Sequence, residues 1–335
     1  MVTISVCMIV KDEEKVLRRC LDSLSGLYDE LIIVDTGSKD KTREIAKEYT
    51  NKIYDFEWVS DFSKARNFSF DKATMDYIYM PDADEVLDEE NRQKFMTLKQ
   101  VLDPQIEIVE MRYVNQLSNG TVYNYDKELR PKLFKRKRSF TFIEPVHEMV
   151  RLDPVVFESD IDICHMPENL HAGRDIKIFE KAAKENGFLS KHLTMMYAKE
   201  LLISGDDNDL KNAVEYFEKL AEECEDKDTL KISCIVLSKA AAVLEKPEDL
   251  RKYALKDVAG GACSETCTIL GAHFESIGDL KEASVWYYNA HFETEAELNL
   301  RYKTELPLKG LCRIYKALGD FETAKFYKEK LEALD

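Results

Sequence analysis

The chain has 335 residues, enough for two domains, and a net charge of −16. That acidity excludes a nucleic-acid partner as the expected one, because phosphate backbones demand clustered cations. No run has the apolar length needed to span a bilayer, and the first ten residues lack the basic start and cleavage site of a leader, so a cytoplasmic protein is expected. Thr3 to Val10 reads as a short buried strand, followed by polar Lys11-Asp12-Glu13-Glu14. Val16, Leu17, Cys20, Leu21 and Leu24 then recur on one face of a helix. A second strand, Glu30 to Val34, runs into Asp35-Thr36-Gly37-Ser38-Lys39-Asp40. Gly37 permits a tight turn, and Ser38 or Asp40 can cap a helix over Lys41 to Tyr49. A short strand at Lys52 to Asp55 completes a β-α-β-α-β order, which predicts a parallel sheet.

Tyr77-Ile78-Tyr79-Met80 predicts a further buried strand, and Asp82-Ala83-Asp84-Glu85 lies at its end. Two carboxylates one residue apart at a strand end can share a divalent cation. Mg²⁺ or Mn²⁺ takes oxygen ligands and bridges a diphosphate at the same time. In parallel sheets, ligands bind beyond the carboxyl ends of the strands. Lys11 to Glu13, Asp35 to Ser38 and Asp82 to Glu85 are all expected at that edge.

The ordered set Val6 to Glu13, Ile33 to Thr42, Trp58-x-x-Asp61-Phe62-Ser63-x-Ala65-Arg66-Asn67 and Asp82 to Glu85 resembles glycosyltransferase family 2. The resemblance spans roughly the first 150 residues. It is closest in kind to the subgroup with a helical-repeat tail that includes S-glycosyltransferases of bacteriocin peptides. It implies an α/β GT-A nucleotide-sugar fold and inversion at the anomeric carbon. It also implies that Val10, Lys11 and Glu13 hold the base and ribose, with Asp35 near the uracil or ribose and Gly37 in the same loop. Arg66 and Asn67 are then expected beside the diphosphate, where a planar guanidinium fork suits phosphate oxygens. Asp84 is implied as the metal ligand, with Asp82 assisting through the ribose or a metal-bound water. Trp58 fits either the core or the wall of the site.

A second constellation is Pro131-Lys132-Leu133-Phe134-Lys135 with Phe142-Ile143-Glu144-Pro145-Val146-His147-Glu148. The subgroup pattern has arginines at the lysine positions and glycine where this chain has Glu144. Glycine there allows close backbone approach, so Glu144 alters the expected loop. A neutral His147 is expected to complete the metal shell. Inverting transfer needs one general base, and Glu148 is the first choice, Glu144 the second. Glu148 also suits a role in orienting His147. The basic run Arg130 to Arg138 is expected to border the site and to face an anionic acceptor, an acidic peptide or a membrane surface.

After about residue 165 the character changes, with Pro167 and Gly173 marking a linker. The expected division is a GT-A domain over 1–165 and an all-α tetratricopeptide-like domain over 175–335. Its landmarks are Asp209 to Ala213, Gly278-Asp279 to Ala283 and Gly319-Asp320 to Ala324, with a degenerate copy from Lys246 to Ala254. Ala213 and Ala283 are spaced by close to two ~34-residue periods, and an insertion is expected at Asn299 to Pro307. The eight cysteines are scattered, which favours reduced buried thiols over a zinc site.

The function expected is metal-dependent hexosyl transfer from a nucleotide-diphospho-sugar, most often a UDP-sugar in this family. The acceptor is a peptide or protein side chain or a cell-surface glycan. The helical tail is expected to bind the acceptor or a second copy as a homodimer, with at most peripheral membrane contact. The alternative is a repeat-based scaffold whose catalytic domain is inactive. A nucleotidyltransferase ranks lower, because the first strand lacks a glycine-rich, Lys/Arg-bearing loop after it.

Overall fold

Ile4–Val10 forms strand β1, buried at every position but Ile9. Such continuous burial means that both faces of the strand are covered, and its side chains divide accordingly. Ile4, Val6, Met8 and Val10 pack in one core with Leu17, Cys20, Leu21 and Leu24 of helix α1 (Leu17–Leu24). Cys7 points the other way, into a core with Ile32, Val34, Ile78, Phe70 and Phe134. Each fully buried leucine of the α1 stripe contributes about 1.5–3 kcal/mol. The computed structural model describes residues 1–114, 128–150, 154–167 and 173–334. It divides into two compact units, Met1–His171 and Ala172–Asp335.

In the first unit β2 (Glu30–Asp35), α2 (Thr42–Lys47), β3 (Ile53–Asp55), α3 (Phe62–Phe70) and β4 (Tyr77–Tyr79) follow in the anticipated order. Then come β5 (Glu85–Val86), α4 (Glu89–Val101), β6 (Ile108–Val114), β7 (Glu128–Lys135), β8 (Phe142–Ile143), β9 (Met149–Val150) and β10 (Val156–His165). The described strands form a sheet ordered β3-β2-β1-β4-β7-β6-β10-β5, and β8 and β9 pair as a separate ribbon. The four strands β3, β2, β1 and β4 are parallel. Beyond them the sheet is mixed, since β7 runs against both β4 and β6, and β6 runs with β10. Hydrophobic periodicity reports burial and carries no information on strand direction, so the expected parallel sheet covers only the first half.

This topology decides what meets at the site. Strands β1, β2, β4, β6 and β10 all point one way, so their carboxyl ends share an edge. Val10 to Glu13, Asp35 to Ser38, Asp82 to Glu85 and His165 arrive there. Lys132 arrives from the antiparallel β7, with its carbonyl bonded to the N–H of Met80. Lys135 to Arg138 lie at the opposite edge, because Lys135 pairs with Tyr77 at the start of β4. There Lys135 Nζ donates to the Pro104 carbonyl at 2.6 Å, Arg136 to the Met75 carbonyl, and Arg138 pairs with Glu107 at 2.9 Å. The basic run therefore does not border the site as a whole; its strand splits it between two edges of the sheet.

Helix α3 is capped by Asp61, whose carboxylate accepts from Lys64 N at 3.1 Å. The helix also carries the β8–β9 ribbon. Asn67 exchanges hydrogen bonds with both backbone groups of Phe142, at 2.9 and 2.8 Å, and Phe62 N donates to the Pro145 carbonyl at 2.8 Å. Asn67 is thus a brace for the ribbon. Trp58 packs edge-on against Phe62, with ring centroids 4.7 Å apart.

The second unit is helical throughout its described residues. It comprises α5 (Arg174–Asn186), α6 (Lys191–Ser204), α7 (Asp207–Glu223), α8 (Lys227–Val243) and α9 (Pro247–Ala259). It continues with α10 (Ser264–Ser276), α11 (Leu280–Tyr288), α12 (Glu305–Ala317) and α13 (Phe321–Glu332). Each helix packs on the next or next but one in sequence, the neighbour-only pattern of stacked repeats. The landmark alanines Ala213, Ala254, Ala283 and Ala324 are all buried. Asp279 and Asp320 cap α11 and α13, accepting from Glu282 N and Thr323 N at 3.1 and 3.0 Å. Asp209 instead lies inside α7, in a reciprocal capping box with Asp206. Between α11 and α12 the repeat widens into a π-turn, Asn289–Glu293, and a 3-10 turn, Leu300–Tyr302. The fully buried carboxylate of Glu265 ties this segment down, accepting from the N–H groups of Glu297, Leu298 and Asn299. The linker expected between Pro167 and Gly173 falls mostly outside the described residues. All eight cysteines are free thiols, six of them buried. No described helix is long and apolar enough to cross a membrane.

Candidate active site

The loops after β1 and β2 lock into each other. Asp12 N donates to Ser38 Oγ at 3.0 Å, and Lys39 N returns a bond to Asp12 Oδ1 at 2.7 Å. Glu13 N donates to Thr42 Oγ1, Glu14 N to Asp40, and Lys41 N to Glu14. The buried Val10 accepts at its carbonyl from Thr36 N and Oγ1. Gly37 turns at φ +103, open to glycine at no steric cost. Asp35 is nearly buried; its Oδ1 takes Ser38 N and Oγ at 3.0 and 2.7 Å, and its Oδ2 faces Arg43 at 3.4 Å. Lys11 is exposed beside this rim. The residues expected to hold a nucleoside therefore stand together on a rigid, hydrogen-bonded rim.

The aspartate pair divides into two different environments. Asp82 is held between cations: Oδ1 meets Arg66 Nη2 at 3.0 Å and Oδ2 faces Lys132 Nζ at 3.6 Å. Burial opposes its ionisation, but Lys132 and Arg66 outweigh that and hold the carboxyl well below its usual range. Lys132 also pairs with Glu85 at 2.5 Å, and both are almost wholly buried. Burial pushes Glu85 up to about 7, against the pull of Lys132 and with repulsion from Asp82. Arg66 in turn pairs through Nε with Glu148. Arg66, expected beside a diphosphate, thus spans two carboxylates of the protein itself.

Asp84 faces elsewhere. Its Oδ2 lies 3.1 Å from Nε2 of His165, the last residue of β10, and its carbonyl accepts from Met166 N at 2.9 Å. The Tyr113 ring sits beside that imidazole, centroids 5.0 Å apart, and the Arg130 guanidinium lies 4.0 Å over the Tyr113 ring. Both Asp84 and His165 keep partial access, at 19% and 13% of their side-chain surface. His165 was missed in the sequence, where it closes the first domain. Its signal was the period-2 face Ile161, Ile163, His165, which carries a buried strand's inward side to the strand's carboxyl end.

Glu144, His147 and Glu148 lie on the turn of the β8–β9 ribbon. Glu144 and His147 have φ of 73° and 49°, the left-handed region that favours glycine. His147 is exposed, Glu144 is half-buried, and Glu148 is held by Arg66. The histidine found on Asp84 is His165.

Residues 5–150 match the model of Glycosyl transferase family 2. The first unit therefore carries a glycosyltransferase domain of that family. A TPR repeat-containing protein of Synechococcus elongatus is 39% identical over 150 residues, covering 45% of this chain and 36% of that protein. The SPbeta prophage-derived glycosyltransferase SunS of Bacillus subtilis is 32% identical over 149 residues, covering 44% and 34%. The chain spans about a third of the length of these curated relatives. Among solved structures, a Mycobacterium tuberculosis glucosyl-3-phosphoglycerate synthase bound to Mn²⁺, UDP and phosphoglyceric acid aligns over 57% of this chain and 80% of its own. Its identity is 17% and its TM-score 0.42, a likeness too slight to argue from.

Proposed function

We propose that this protein is a metal-dependent inverting glycosyltransferase that moves a hexose from a nucleotide-diphospho-sugar to an acceptor. One observation carries the reading: Asp84 and His165 converge at the carboxyl edge of a family 2 domain. The partly accessible Asp84 carboxylate is the oxygen donor that Mg²⁺ or Mn²⁺ takes, and the His165 imidazole beside it is a softer donor that favours Mn²⁺ over Mg²⁺. Among the described residues no group of three or more His, Cys, Asp or Glu side chains forms a cation cage. Mg²⁺ sites of this kind take one or two protein donors and complete the shell with substrate phosphates. Bound there, such a cation would supply positive charge to offset that of a departing diphosphate. Asp84 and His165 would hold it, and His165 takes the place first given to His147.

The rest is the work of the chain's own groups. The Val10–Glu13 and Asp35–Ser38 rim positions the nucleoside, with a UDP-sugar as the donor that the family resemblance favours. One of the ribbon glutamates, Glu144 or Glu148, takes the acceptor's proton as it attacks opposite the leaving group. The acceptor is a peptide side chain or a cell-surface glycan, engaged by the helical unit. The paired charges around Asp82 and Asp84 are those an active enzyme needs, which disfavours an inert scaffold. The test is a screen of nucleotide sugars for Mn²⁺-dependent donor hydrolysis, then acceptor capture with the donor that responds. Absence of any metal-dependent turnover across uridine, guanosine and thymidine diphosphate sugars refutes it.

A further inference from the structure

Glu148 occupies one end of a continuous chain of paired charges. Its Oε1 accepts from Arg66 Nε, and Arg66 Nη2 reaches Asp82 Oδ1 at 3.0 Å. Asp82 Oδ2 faces Lys132 Nζ at 3.6 Å, and Lys132 holds Glu85 at 2.5 Å. Three acids and two bases thus run from the β8–β9 ribbon to the carboxyl end of β4. Arg66, Lys132 and Glu85 are 9%, 3% and 2% exposed. Charges this deep are tolerated only when paired, so each fixes the position of the next.

The pairing has a direction. Arg66 is anchored to the ribbon side by Glu148 and to the donor side by Asp82. Without the negative charge of Glu148, the guanidinium keeps one anion and can close on Asp82 with both prongs. That draws Asp82 away from Lys132 and displaces the segment bearing Asp84. The ribbon itself does not need Glu148 for its place, because Asn67 and Phe62 already pin Phe142 and Pro145.

We infer that Glu148 is a positioning residue that acts through Arg66 on the Asp82–Asp84 segment, and is not the acceptor's base. The inference rests on reading this edge as a site for a cation and a diphosphate. It assigns Glu148 an effect on the donor in the absence of any acceptor, which a base does not have. Outer residues that orient metal ligands are typically worth about 10–100-fold in metal affinity.

The experiment is calorimetric titration of the full chain with UDP in the presence of Mn²⁺, without acceptor. Wild type, Glu148→Gln, Arg66→Gln and the double variant are compared, with thermal melts to confirm folding. Glu148→Gln is expected to weaken binding by about 10–100-fold. The double variant should bind no more weakly than Arg66→Gln alone, since the effect passes through that arginine. If Glu148→Gln does not fold, Glu148→Ala, which frees Arg66 without setting an amide against it, takes its place and is read the same way: weakened binding supports the inference. Wild-type affinity in Glu148→Gln, or in Glu148→Ala where it takes that place, overturns it. Absence of Mn²⁺-dependent UDP binding by wild type overturns the reading of the site itself, and this inference with it.

Discussion

His165 Nε2 lies 3.1 Å from Asp84 Oδ2, across 81 positions of chain. Strand β5 pairs with the end of β10 beside them, Glu85 opposite His165 and Val86 opposite Cys164. The contact is therefore held by backbone pairing as well as by the side chains. Asp84 and His165 keep partial access there, while the segment's other carboxylates, Asp82 and Glu85, are tied to buried cations.

Loss of either member should abolish metal-dependent donor binding. Asp84→Ala and His165→Ala are each expected to weaken Mn²⁺-dependent UDP binding by more than about 100-fold, beyond the usual effect of outer residues. His147→Ala is expected to leave that binding near wild type. Titration by calorimetry checks all three, and substantial transfer by folded Asp84→Ala, or by wild type in excess chelator, contradicts the assignment.

Glu144 separates chemistry from stability. Its φ of 73° is strained for a residue with a side chain and free for glycine. Glu144→Gly should therefore stabilise the first unit by about 1 kcal/mol, seen as a higher denaturation midpoint. Glu144→Gln should lower transfer by about 10²–10⁴-fold at saturating donor while leaving UDP binding intact. Normal turnover in Glu144→Gln removes it as the base.

Acid stability should depend on Glu30, at the opposite end of β2. Burial raises its pKa, but Lys52, Ser5 and Thr74 lower it further, to about 2 against the usual 4.5. A carboxyl depressed in the folded state contributes stability that is present above pH 4.5 and lost as pH falls toward 2. The contribution is on the order of 2 kcal/mol once the exposure of Lys52 is allowed for. Glu30→Gln is expected to flatten the stability profile between those pH values, as measured by urea denaturation.

The second unit depends on a glycine-lined slot for one ring. A Cβ at Gly271 would lie 2.8 Å from Tyr287 Cδ1, and a Cβ at Gly310 would strike the other edge of the same ring. Gly310→Ala should destabilise the unit by about 1–3 kcal/mol through overpacking. The penalty should shrink in a Tyr287→Leu background, since the two changes share one contact. Thermal melts of the single and double variants test this, and additive effects refute the shared-contact account.

What the sequence by itself determined is local. The apolar stripe of α1, the strands β1, β2 and β4 to within a residue at their ends, the Asp82 to Glu85 cluster and the landmark alanines were legible. Each depends on neighbours within a few residues, through burial period, turn chemistry or helix capping. The family resemblance rested on those same short motifs. Tertiary structure decided the rest, because pairing across the sheet has no period in the sequence. The antiparallel entry of β7 put Lys132 at Asp82 and sent Lys135 to Arg138 to the far edge. Pairing of β10 with β5 brought His165, an unremarked residue at a domain's end, onto Asp84. Long-range charge pairing likewise turned Arg66 toward Asp82 and Glu148, since a buried guanidinium takes the anions that the fold places nearest to it.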